Sequence, residues 1–122
     1  MLASSHIAGF VPTTNSERAR AFYEKLLGLE FVSENQYVAT FRSGGSVILL
    51  QKMDKFEPVE RTILGWEVDD IKTVVSFLVK RGVTFERYAW MEQDEQGIWA
   101  SPDGKVAWFK DPDGNILSVA QH

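Results

Sequence analysis

The sequence predicts an α+β fold built from two βαβββ modules, at about residues 5–53 and 61–121 of one 122-residue domain. Three observations carry the prediction. The signals strand, helix and further strands run through the chain twice in the same order. The halves also match residue against residue: GLEF (28–31) answers GVTF (82–85), and SVILL after Gly45 answers NILSV after Gly114. Leu49 thereby falls opposite Ser118. Lastly, a single small βαβββ unit leaves one sheet face uncovered, so the repetition implies two modules sharing one core.

The first strand is predicted over 5–11, ending at Pro12, which cannot donate to a ladder. Thr14 with Glu17 has the capping-box spacing, and Ala19, Phe22, Tyr23 and Leu26 recur at helical intervals until Gly28. Strands follow over 30–33, 37–42 and 46–52, the last two joined by Ser43, Gly44 and Gly45. The second module starts with a strand over 62–68. Asp69 and Asp70 open a helix whose stripe is Ile71, Val74, Val75, Leu78 and Val79, closed by Lys80, Arg81 and Gly82. Strands are predicted over 83–90, 97–100, 105–110 and 115–120. Their turns, Ser101-Pro102-Asp103-Gly104 and Asp111-Pro112-Asp113-Gly114, place Pro and Gly where a type I turn favours them.

Composition narrows the function classes. Thirteen Lys and Arg against seventeen Asp and Glu give a formal charge of −4, spread along the chain, which argues against nucleic-acid and anionic-membrane partners. The N-terminus lacks a basic start and a long apolar run, so a cytoplasmic location is expected. With no cysteine, disulfides, thiolate metal sites and cysteine nucleophiles are out.

Three stretches, FYEKLLGLEF (22–31), WEVDDI (66–71) and WFKDPDGNILSVAQ (108–121), occur in an order that resembles the vicinal oxygen chelate superfamily, which includes glyoxalase I, bleomycin-resistance proteins and extradiol dioxygenases. The resemblance implies paired βαβββ modules whose sheets curl into an open cleft, commonly completed by a dimer partner. It also implies four cleft-facing strand positions that hold a cation in metal-dependent members. Here those positions fall on Ala8, Leu49, Ile63 and Ser118. Three cannot ligate and a lone Ser hydroxyl is a poor ligand, so no metal or other cofactor is expected.

His6, Gln51 and Glu67 share strand parity with those positions and are the remaining polar candidates. Together they would make only an improvised metal site. Glu67 alone would be a cleft acid with a pKa raised by burial. No Ser-His-Asp arrangement or phosphate loop is present, and Glu92, Asp94 and Glu95 read as a solvated loop. Four tryptophans, Trp66, Trp90, Trp99 and Trp108, are a more informative feature than these carboxylates. With Tyr88 nearby they suggest an aromatic wall, against the alternative of core or interface packing.

The expected function is metal-independent binding of a small organic molecule by a homodimer, in a cleft lined by His6, Ala8, Leu49, Gln51, Ile63, Trp66, Glu67, Tyr88, Trp99, Trp108 and Ser118. Two rivals belong to other classes. One is a lyase, isomerase or dioxygenase-like enzyme using the improvised metal site or Glu67; the other is a non-catalytic dimeric interaction module.

Overall fold

Strand β1 (Ala8–Thr13) opens the first unit, followed by α1 (Ser16–Ala21), β2 (Glu30–Glu34), β3 (Val38–Ser43) and β4 (Ser46–Lys52). The computed structural model describes residues 1–122 and divides them into two units, Met1–Glu57 and Pro58–His122. The second unit holds β5 (Thr62–Glu67), α2 (Ile71–Lys80), β6 (Trp99–Ser101), β7 (Gly104–Lys110) and β8 (Ile116–Gln121). Its sheet runs β5-β8-β7-β6, and that of the first unit runs β1-β4-β3-β2. In both, the first strand lies parallel to the last and the remaining pairs are antiparallel. The repeat legible in the sequence is thus a repeat of topology. No helix is long and apolar enough to cross a membrane.

Alternation sets the two faces of each sheet. In the first unit Val11, Ala39, Phe41, Ile48 and Leu50 are buried with Ala19, Phe22 and Tyr23 of the helical segment. Tyr23 meets Phe41 edge-on, with centroids 6.3 Å apart. In the second unit Ala107, Phe109, Leu117 and Val119 pack with Ile71, Val75 and Leu78 of α2. The GLEF and GVTF match has a physical meaning here. Phe31 pairs with Phe41 across β2 and β3, and Phe85 forms a single antiparallel bridge with Phe109. Both pairs meet edge to face, at 5.6 and 5.3 Å.

Several boundaries differ from the sequence prediction. Pro12 does not end β1, which runs on to Thr13, because β1 is an edge strand and an edge tolerates a missing donor. The cap of α1 is Asn15, whose Oδ1 accepts from the Arg18 amide at 3.0 Å, rather than Thr14. Beyond Ala21 the helix widens into a π-helical turn over Phe22–Leu26. Val79, assigned to the apolar stripe of α2, is 52% exposed.

The largest difference is the strand predicted over 83–90, which is irregular apart from the Phe85 bridge. The Gln93 side chain takes the place of a ladder there. Its Nε2 donates to the Glu86 and Gly97 carbonyls at 3.0 and 2.8 Å, and its Oε1 accepts from the Tyr88 amide at 2.8 Å. A turn closed from the Met91 amide to the Tyr88 carbonyl, at 3.0 Å, then carries Trp90 outward.

Candidate functional site

On β8 and β7 the face away from the buried core carries Ser118 and Trp108, which are register partners, and Ser118 is also the partner of Gly65 on β5. This row places the largest side chain beside two of the smallest. A Cβ on Gly65 would stand 2.6 Å from the Ser118 Oγ, so glycine is what leaves this part of the face low. The Trp108 indole reaches β5, where its Nε1 donates to the Thr62 Oγ1 at 3.0 Å. That hydrogen bond fixes the ring and uses its only donor.

Around Trp108 the aromatic side chains form a chain of contacts. Tyr88 meets it at 5.9 Å with planes 77° apart, Trp99 lies 6.3 Å away at 36°, and Trp90 lies 5.7 Å from Tyr88 at 33°. Trp90 is 79% exposed, an unusual state for the largest apolar side chain. Between these rings, the segment before β5 and the start of β8 lies an open groove of about 600 Å³. Its apolar lining includes Tyr88, Trp90, Met91, Trp108 and Ile116, and its polar lining is Glu60, Arg61, Thr62 and Lys110. That size and mixture suit a small organic molecule. Burial and the charge of Glu86 raise the Tyr88 phenol above its ordinary pKa, so it stays protonated at neutral pH. Depressions of about 650 and 460 Å³ flank α2, but Lys72, Ser76, Lys80 and Gln96 give them no convergent chemistry.

The residues singled out in the sequence distribute as follows. Tyr88 and Trp108 line the groove, Trp99 stands against Trp108, and Ser118 is the register partner of Trp108 on β8, outside the groove lining. Trp66 belongs to the opposite face, stacked on Phe109 at 6.5 Å and 19°. Its inclusion beside Glu67 is corrected, because neighbours in a strand point to opposite faces. In the first unit, Ala8, Leu49 and Gln51 alternate with the buried Val11, Ile48 and Leu50 and so occupy the face away from the core. His6 is exposed and donates from Nδ1 to the Gly45 carbonyl, tying the chain before β1 to the turn between β3 and β4.

Glu67 is not a buried acid. Its carboxylate accepts from the His122 backbone amide at 2.9 Å and from the His122 Nδ1 at 2.8 and 2.9 Å. The hydrogen bond from the His122 ring, more than any other influence, holds its carboxyl below the usual range. Such a group is ionised at neutral pH and is no proton donor. The expected upward shift is therefore corrected to a downward one.

The donor set decides whether the metal positions fit a cation. A bulge in β5 pairs Thr62 with Ile116 and Leu64 with Leu117, so Ile63 is the extra residue and Thr62 takes its place in the ladder. The four positions then carry Ala8, Leu49, Thr62 and Ser118, without an imidazole or carboxylate. Ala8 and Leu49 of the first unit offer no donor, and Thr62 and Ser118 of the second offer only hydroxyls, which are poor ligands for a divalent cation. No group of three or more His, Cys, Asp or Glu side chains is placed to hold a metal ion. In the loop after Trp90, Asp94 accepts from the Gln96 and Ile98 amides, each at 2.9 Å, which gives it a structural role.

Sequence reasoning missed Arg61, Glu60, Lys110 and Met91, and left Trp90 outside the site. A charged pair just before a strand carries no periodic signal. The exposed Trp90 depends on a turn that the sequence pattern read as a strand.

Comparison with known proteins places this geometry in context. The family model for the glyoxalase/bleomycin resistance protein/dioxygenase superfamily matches residues 4–119. A superfamily member from Sphaerobacter thermophilus is 24% identical with a TM-score of 0.77, over 100% of both chains. TnmS3, an antibiotic binding protein from Streptomyces sp. CB03234, is 22% identical with a TM-score of 0.74, over 99% of this chain and 98% of that one. A lactoylglutathione lyase from Agrobacterium tumefaciens is 19% identical with a TM-score of 0.70, over 97% and 93%. No curated protein matches the sequence.

Proposed function

The chain belongs to the glyoxalase/bleomycin resistance protein/dioxygenase superfamily, and from that premise we propose that it binds a small planar organic molecule in the aromatic groove of its second unit, without a metal ion. The observation that carries this reading is Trp90, 79% exposed beside a groove walled by Tyr88 and Trp108. An exposed aromatic cluster offers stacking surface that folding has not used. The antibiotic-binding activity named for TnmS3 supports sequestration in this fold, where the protein needs no catalyst. Glu67, engaged by His122 and held ionised, favours binding over an acid-catalysed reaction.

Titration with the uncharged probe 9-anthracenemethanol tests the reading. Saturable quenching of tryptophan emission is expected, with the same affinity in the presence of EDTA. A probe that leaves the emission unchanged, or whose binding disappears with chelator, would contradict it.

In this reading the protein acts in the cytoplasm as a homodimer. Support for the dimer comes from apolar side chains left on the surface of the first unit, where Phe10 is 60% and Tyr37 66% exposed. Light scattering is expected to give twice the 13.8 kDa chain mass. A monomer mass at all concentrations would remove this part of the proposal.

A further inference from the structure

We propose that the ligand of this groove is a planar aromatic compound bearing an ionised acid group, carboxylate or phenolate, and that Arg61 is the residue that recognises the acid. The inference rests on the aromatic-groove reading and adds the chemical class of the ligand.

Arg61 immediately precedes β5 and lines the same groove as Trp90, Tyr88 and Trp108. Of the charged groups at the groove, Lys110 already faces Glu86 at 3.6 Å. Arg61 has no carboxylate within ion-pair distance and no side-chain hydrogen bond. Most other charged side chains on the sheets of this protein are engaged. Arg42 pairs with Glu30, Lys52 with Glu34 at 2.7 Å and Glu67 with His122. A planar guanidinium without a partner, beside a stacking surface, presents the fork that binds a carboxylate through two parallel hydrogen bonds.

The donor inventory points the same way. The Trp108 Nε1 is committed to Thr62, so the donors left for a ligand are the guanidinium of Arg61, the ammonium of Lys110, the protonated phenol of Tyr88, the Thr62 hydroxyl and the Trp90 indole N–H, of which only the first two carry charge. Against them the groove sets one acceptor charge, Glu60. A ligand rich in acceptors suits this set, and its acid is drawn to the Arg61 side because Lys110 shares its charge with Glu86.

Two matched probes of the same ring system separate this inference from the reading beneath it: 9-anthracenecarboxylate and the neutral 9-anthracenecarboxamide, titrated at pH 7 against the full chain. The acid is expected to bind about tenfold more tightly than the amide. In Arg61→Gln the preference should vanish, because the acid loses far more affinity than the amide. In Glu60→Gln the acid should bind about threefold more tightly, through loss of the opposing charge. Raising the salt concentration should narrow the preference of the parent protein.

Equal binding of acid and amide, or a preference that survives in Arg61→Gln, would overturn the inference and leave the aromatic-groove reading standing. Binding of neither probe would overturn both. Arg61 is exposed and outside the core, so a change in circular dichroism or melting temperature in Arg61→Gln is not expected.

Discussion

Phe109→Ala is expected to destabilise the protein by about 3–5 kcal/mol, the largest stability effect of any single truncation in the second unit. Phe109 is fully buried on β7 and joins three elements: it stacks on Trp66 of β5, meets Phe85 at 5.3 Å and packs on the side of the sheet that faces α2. Removing the ring leaves a cavity that a sheet cannot collapse without moving its ladder, so the lost transfer energy and the cavity term add. Domains of this size hold a total stability of about 5–15 kcal/mol, which makes the loss a large fraction of the whole. Urea denaturation reads it directly. Val79→Ala, at a half-exposed position on α2, should stay within about 0.5 kcal/mol of the parent. A cost below about 1 kcal/mol at Phe109 would mean that the core of this unit is centred elsewhere.

Trp108→Ala is expected to weaken binding of a planar probe by about 2 kcal/mol, or roughly 30-fold. The indole is the wall that Tyr88 and Trp99 both lean on, and its Nε1 bond to Thr62 holds it in place. Trp108→Phe keeps a stacking face and loses that hydrogen bond, so a smaller loss of about 0.5–1.5 kcal/mol is expected. Isothermal titration with 9-anthracenemethanol gives both values. If Trp108→Ala binds as tightly as the parent, the groove is not the binding site.

Much of the fold was legible because burial on one face imposes a period of two on strands, and α2 is amphipathic at helical spacing. The internal match between GLEF and GVTF was read as repetition, and it corresponds to a repeated aromatic pair, Phe31 with Phe41 and Phe85 with Phe109. Parity also placed Leu49, Gln51 and Ser118 on the faces turned away from the core. Trp66 and Glu67, consecutive on β5, cannot share one face, so parity admits only Glu67 to the side that carries Trp108. The bulge at Ile63 escaped because one extra residue in a strand leaves no mark on composition. The segment over 83–90 misled because Val83, Phe85 and Tyr88 have strand-like chemistry, while the side chain that replaces the ladder, Gln93, comes from beyond it. The same cause hid part of the site. Trp90, Met91 and Arg61 reach the groove through irregular backbone, where no periodicity links sequence to direction.

Ligand binding in the aromatic groove of the second unit is tested most directly by the four indole N–H signals of the 15N-labelled protein. After assignment by single Trp→Phe variants, titration with 9-anthracenemethanol should shift the signals of Trp90, Trp99 and Trp108. The signal of Trp66, stacked on Phe109 on the core face, should stay in place. Four stationary signals at a saturating probe concentration, or movement confined to Trp66, would contradict the account.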